Sequence, residues 1–223
     1  MELNPSRTAV IAMHLQNDIV TAGGAMGSFF AAQVESRGII GVVGTLLTTA
    51  RRAGATVVYT RVAWQPGYTD MHANSPLLQM TVRDQSLIDG TENAEIISAL
   101  KPENTDLIIA HQRVGSFAGT QLDTLLRGRG IDTVIFAGVA TNVSVEGTAR
   151  QASDLGYRTI IAADACSAAG AAAHDASIAS LGLLAEISAS IDILAALRSG
   201  PTIAAALQVD TGVRVEGGSG VLS

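Results

Sequence analysis

The chain has 223 residues, 48% of them hydrophobic and 15% charged, with a formal net charge of −6. That length suits one large domain with a full core, and the low charge argues against disorder. Without a Lys or Arg stripe a nucleic-acid partner is excluded, and without an apolar run of roughly 20 residues a membrane role is excluded too.

The N-terminal MELNPSRTAV carries no charged-then-apolar leader, so a cytoplasmic protein is expected. A single cysteine, Cys166, rules out a disulfide framework and reads as a small buried thiol. The first short apolar run, TAVIAM at residues 8–13, is followed by His14-Leu15-Gln16-Asn17-Asp18. Residues 29–53 have a helical pattern that stops at Gly54, and TVVYTRV at residues 56–62 is the second run. Residues 63–92 contain Pro66, Gly67, Pro76 and Gly90 and read as a long, functional loop. Its Asp70-Met71-His72 has a metal-ligand spacing, but no third ligand accompanies it.

The third run, residues 106–110, leads into His111-Gln112-Arg113 and then Ser116-Phe117-Ala118-Gly119. A helix is predicted over 121–130 and a fourth run over 133–137, followed by Gly138-Val139-Ala140-Thr141-Asn142-Val143-Ser144. Ser144 is read as opening a helix that ends at Gly156. The fifth run is residues 159–163. A helix over 173–185 contains His174, read as packed or exposed, and a weaker sixth run is Glu186 to Ser188. After Leu197 the pattern dissolves. Residues 1–199 are therefore read as the domain and 200–223 as a tail or oligomerisation arm, with an apolar segment at 202–209 hinting at a subunit contact.

Each run is apolar throughout, as strands buried on both faces are. Strand–helix alternation then implies a three-layer αβα, doubly wound α/β fold with a mostly parallel six-stranded sheet. Ligands in such sheets bind beyond the carboxyl ends of the strands. His14, His111 and Ser144 follow three different runs at that end. A serine hydroxyl needs a base to become a nucleophile, and neutral histidine is the usual one. Taken singly, Ser144 reads first as a helix cap and each histidine as a polar boundary residue; the three together on three strand ends make the catalytic reading as good as the bland one.

These residues also carry a family resemblance. GVATNVSVEGTAR followed by DLGYRTIIAADAC resembles the signature of the isochorismatase-like (cysteine hydrolase) superfamily, with Ser144 at the place of the cysteine. HLQNDIV resembles its first-strand motif, with His14 in place of the catalytic Asp. HQRVGSFAGTQLDTLLRGRGID resembles the segment that opens with the catalytic lysine, with His111 there. RVAWQPGY resembles the substrate-loop region, and the likeness spans roughly residues 7 to 197. The resemblance implies a six-stranded parallel sheet, a homodimer or homotetramer, and a cis peptide between Val139 and Ala140. It also implies an oxyanion hole from the backbone N–H groups of Ala140 and Ser144. Members hydrolyse small amides through a covalent thioester; the isochorismatase branch cleaves a vinyl ether without the cysteine but keeps the Asp. Where nicotinamidases hold a metal after the second strand, this chain reads Ala-Trp-Gln-Pro, so neither metal nor cofactor is expected.

Three functions follow. The first is a hydrolase of a small ester, amide or lactone in which Ser144 attacks, His14 is the base and His111 orients it, the two histidines being interchangeable at this stage. A neutral histidine base implies activity falling below about pH 6.5. The second is a non-covalent hydrolase or lyase, the third a family member that binds small molecules without catalysis. Gln16, Phe29, Trp64, Tyr68 and Phe117 are candidate substrate contacts, the four aromatics equally explicable as core.

Overall fold

Alternate residues of the first strand, β1 (Thr8–Met13), enter two different cores: Val10 and Ala12 on one face, Ala9, Ile11 and Met13 on the other. This is why its sequence lacks polar alternation. The computed structural model describes residues 1–200. Within them β1, β2 (Thr56–Val62), β3 (Leu107–His111), β4 (Thr133–Val139), β5 (Arg158–Ser167) and β6 (Glu186–Ser188) form one parallel sheet. The strand order is β3-β2-β1-β4-β5-β6. The doubly wound α/β reading of the sequence therefore stands. The proposed arm at 201–223 lies outside the described residues.

Eight α-helices complete the described part: α1 (Asn17–Val20), α2 (Gly27–Ser36), α3 (Ile39–Ala53), α4 (Pro76–Arg83), α5 (Leu122–Gly128), α6 (Glu146–Asp154), α7 (Ala171–Leu181) and α8 (Ser190–Ser199). Helix α3 buries Ile39, Val43, Leu46, Leu47 and Ala50, a stripe at helical spacing, beside Ile193, Leu194 and Leu197 of α8. Each such branched side chain, fully buried, contributes about 1.5–3 kcal/mol. Leu122 and Leu126 of α5, Ala149 and Ala152 of α6 and Leu181 of α7 close the opposite face.

Three sequence expectations change. The helix predicted over 29–53 is two helices, because Gly38 adopts φ 62, a left-handed conformation that ends α2 and restarts the chain as α3. The segment read as a long loop contains α4, which starts on Ser75 accepting the Leu78 N–H, with Pro76 in the first turn. Ser144 does not open a helix: residues Thr141–Val145 form a wide π-helical turn, and α6 begins after it.

β4 runs two residues beyond its predicted end and pairs Gly138 with Met13 of β1. Gly138 has φ 127, and a Cβ there would lie 2.2 Å from the Met13 carbonyl oxygen. The strand that delivers the following turn can press against β1 only without a side chain. Gly138→Ala is expected to destabilise the fold by about 3 kcal/mol. Urea unfolding measures this, and an unchanged midpoint would refute the close approach.

Candidate active site

β1 and β4 are neighbours, but the chain leaves β1 for β2 on one side and β4 for β5 on the other. A crevice opens beyond their carboxyl ends at such a switch point. His14 follows β1, and the turn bearing Ser144 follows β4. His111 closes β3, two strands from β1, a separation of about 10 Å in a sheet. The imidazoles meet above β2. His14 has φ 53, uncommon for a residue with a Cβ, and its N–H donates to the Thr60 carbonyl of β2. The rings lie 4.8 Å apart between centroids, with their Nε2 atoms 2.8 Å apart.

The partners assign the tautomers. His111 Nδ1 lies 2.8 Å from the Arg113 carbonyl oxygen, which can only accept, so Nδ1 carries the hydrogen. In neutral His111 the Nε2 is then an acceptor, and His14 must donate from its own Nε2. This leaves His14 Nδ1 as the bare nitrogen. It has no hydrogen-bond partner among the described residues and is not among their sealed, unpaired polar atoms. Burial holds His14 well below its ordinary pKa, and a charge on His111 would lower it further. Burial likewise pushes His111 down to about 4, against the opposing hydrogen bond to the Arg113 carbonyl. Both rings are therefore neutral near pH 7. Ser116 Oγ approaches His111 Nε2 at 3.2 Å, and Ser116 N–H donates to Thr148 Oγ1 at 3.1 Å, tying the pair to α6.

A cavity of about 80 Å³ lies against His14. His14 and Ser144 both line it, with Trp64, Phe30, Met26, Val143 and Arg113 among the other walls. Ser144 is buried and makes no hydrogen bond to either histidine: its hydroxyl donates to the Val139 carbonyl and accepts the Ala140 N–H, each at 3.0 Å. The Val139–Ala140 peptide is cis.

Of the five candidate substrate contacts, only Trp64 lines the cavity. Its Nε1 is buried and unpaired. Gln16 is a clamp instead. Its side chain accepts the Val62 N–H at 2.8 Å and donates to the carbonyls of Val62 and Ala94, both at 2.7 Å. Tyr68 is spent on the carbonyls of Thr81 and Ser86, and Phe117 stacks on Tyr157 in the opposite core. Phe29 faces solvent while its neighbour Phe30 takes the wall, since adjacent helical residues point about 100° apart. The sequence reading missed Leu77, Leu78 and Thr81, which α4 brings to the cavity. The Ser75-Pro76 helix start was the available signal.

His174 is packed behind the Ser144 turn, bonded to Thr141 Oγ1 at 2.8 Å and to the Arg37 guanidinium at 3.0 Å. Cys166 is a sealed thiol raised to about 12 by burial. Among the described residues no group of three or more His, Cys, Asp or Glu side chains is arranged for a metal, and no helix is long and apolar enough to cross a membrane.

An all-parallel sheet of this order with a crevice at its β1/β4 switch point defines a doubly wound α/β protein with a small-molecule site. The Isochorismatase domain family matches residues 8–192, and the chain belongs to the isochorismatase family, whose members are hydrolases. It is 34% identical over 186 residues to the isochorismatase family protein YecD of Escherichia coli O157:H7, covering 80% of this chain and 89% of that one. It is 33% identical over 175 residues to the ureidoacrylate amidohydrolase RutB of Rhizobium rhizogenes, covering 73% and 71%. The crystal structure of a cysteine hydrolase from Pseudomonas syringae pv. phaseolicola superposes with a TM-score of 0.81 at 28% identity, covering 89% of this chain and 96% of that one.

Histidines held below their usual pKa bind fewer protons folded than unfolded. Their contribution to stability is complete above about pH 6.5 and declines as pH falls towards the folded value. The melting temperature is expected to fall between about pH 7 and about pH 5, with a shallower fall in His14→Gln. Calorimetry across that range checks this, and identical slopes would place the acid sensitivity elsewhere.

Proposed function

We propose that the protein hydrolyses a small amide, ester or lactone, with His14 as general base and Ser144 as nucleophile. The observation that carries this reading is the 2.8 Å bond between the two Nε2 atoms. It holds His14 in the tautomer whose bare Nδ1 can take a proton, on the wall that Ser144 shares. An amide is the first choice of bond, because RutB relatives are amidohydrolases.

The chemistry runs in two halves. The Ser144 hydroxyl turns about its Cα–Cβ bond, releasing the Val139 carbonyl and the Ala140 N–H. His14 Nδ1 accepts its proton as Oγ adds to the substrate carbonyl carbon. The new oxyanion is stabilised by the freed Ala140 N–H together with that of Ser144. Collapse expels the amine or alcohol, which takes the proton from His14. Water, deprotonated by the same nitrogen, adds to acyl-Ser144, and the departing Ser144 Oγ takes that proton back from His14 as the acid is released. His111 acts on His14, holding its tautomer and sharing its charge.

A second reading has the local bonds of Ser144 in its favour: the serine keeps them, and His14 activates water directly. Intact-mass spectrometry with p-nitrophenyl acetate and a fluorophosphonate separates the two. The expected result is one covalent adduct that Ser144→Ala abolishes. Turnover without an adduct supports the water route, and neither supports a non-catalytic binding protein.

His14→Gln is expected to lower kcat/KM by about 10²- to 10⁴-fold. A base kept neutral by burial works to lower pH than a free histidine. The acid limb of log kcat/KM is therefore expected below the roughly 6.5 of an exposed ring. A limb at or above that ordinary value would exclude the buried pair as the base.

A further inference from the structure

The cavity wall is electrostatically one-sided. None of its seventeen lining residues is acidic, and one, Arg113, carries a full positive charge. This stands out in a chain whose formal net charge is −6. The remaining wall is almost wholly apolar, apart from His14, Thr81, Gln112 and Ser144. Among the described residues Arg113 takes part in no ion pair, whereas seven other arginines do. Asp70 borders the adjoining recess with Arg113, but its carboxylate accepts the Gln65 N–H at 2.9 Å and makes no ion pair with the guanidinium.

The backbone of Arg113 is fixed by the site itself, since its carbonyl accepts the His111 Nδ1 hydrogen. The Arg113 backbone is therefore anchored one hydrogen bond from the histidine pair, and its exposed side chain borders the cavity. A guanidinium offers a planar, bidentate match to a carboxylate, and such charge-assisted bonds outweigh neutral ones. An apolar wall rewards a hydrocarbon body, and few polar groups remain to compete for it.

The geometry points to a substrate class: a small monocarboxylate with a short apolar body, whose carboxylate pairs with Arg113 while its neutral scissile group lies at His14 and Ser144. This rests on the cavity being the substrate site of the hydrolase proposed above. Arg113 is then the specificity-determining residue, and it acts on binding.

Isothermal titration with two matched pairs tests this: trans-cinnamate against cinnamyl alcohol, and hexanoate against 1-hexanol. Each ligand is titrated into the wild type, Arg113→Gln, Arg113→Lys and Ser144→Ala. The acids are expected to bind at least about fivefold more tightly than the alcohols in the wild type and in Ser144→Ala. The preference is expected to vanish in Arg113→Gln, return in part in Arg113→Lys, and weaken with added salt. Circular dichroism checks that Arg113→Gln keeps its fold, as it should, because the bond to His111 uses backbone only. Acids that bind no better than alcohols, a preference untouched by Arg113→Gln, or no binding of either acid at millimolar concentration would each overturn the assignment. The two proposals fail separately. Arg113-dependent binding without a Ser144 adduct removes only the nucleophile, and an adduct without acid preference removes only the carboxylate.

Discussion

The hydrogen bond between His14 and His111 is the constraint on which the rest of the site depends. It joins two rings anchored two strands apart, and it has one consistent hydrogen assignment because the Arg113 carbonyl can only accept. A buried imidazole is costly to charge, so the environment that brings the rings together also keeps them neutral. The pair is thereby held neutral, with His14 Nδ1 left bare. An Asp-Lys arrangement, the one the family resemblance implies, has its charges already in place and suits a thiol that ionises readily. A hydroxyl does not ionise in such a setting, and a neutral nitrogen with a free lone pair is its chemical complement.

Holding that pair takes a large share of the surrounding polar groups. Gln16 spends its whole amide on joining β2 to the segment at Ala94, and Asp18 accepts the N–H groups of Ala25 and Leu87. On the other side His174, Thr141 and Arg37 brace the turn that carries Ser144. Residues that look reactive in the chain are in this way divided between the cavity wall and its support. A side chain whose hydrogen-bonding capacity is filled by backbone has little left for a ligand, which separates Gln16 and Tyr68 from Trp64 and Arg113.

Ser144 is the least settled member in geometric terms. Its oxygen fills the Ala140 N–H that a substrate oxyanion would use, so the hydroxyl and the oxyanion compete for one donor. In the proposed reaction, substrate binding and serine rotation are linked events. Catalytic hydrogen bonds commonly tighten only once substrate is present. The same self-satisfied state protects a buried hydroxyl from being left unpaired while the cavity is empty.

Much of the fold was legible in the chain. Apolar runs too short for helices and apolar on both faces require a covered parallel sheet, and the glycines at 54, 130 and 156 end helices by local geometry alone. The placing of His14, His111 and the Ser144 turn at the carboxyl end follows from the same alternation, because each lies just after a strand. What lies across space was not legible. His14 and His111 are 97 residues apart, and nothing in their local sequence says that they share a hydrogen bond or which ring donates. The wall supplied by α4 and the exposure of Phe29 in place of Phe30 are likewise set by packing against elements distant in the chain. Local propensity acts over a few residues and determines which elements form. Hydrogen-bond partners and cavity walls depend on distances that exist only after the sheet has brought those elements together.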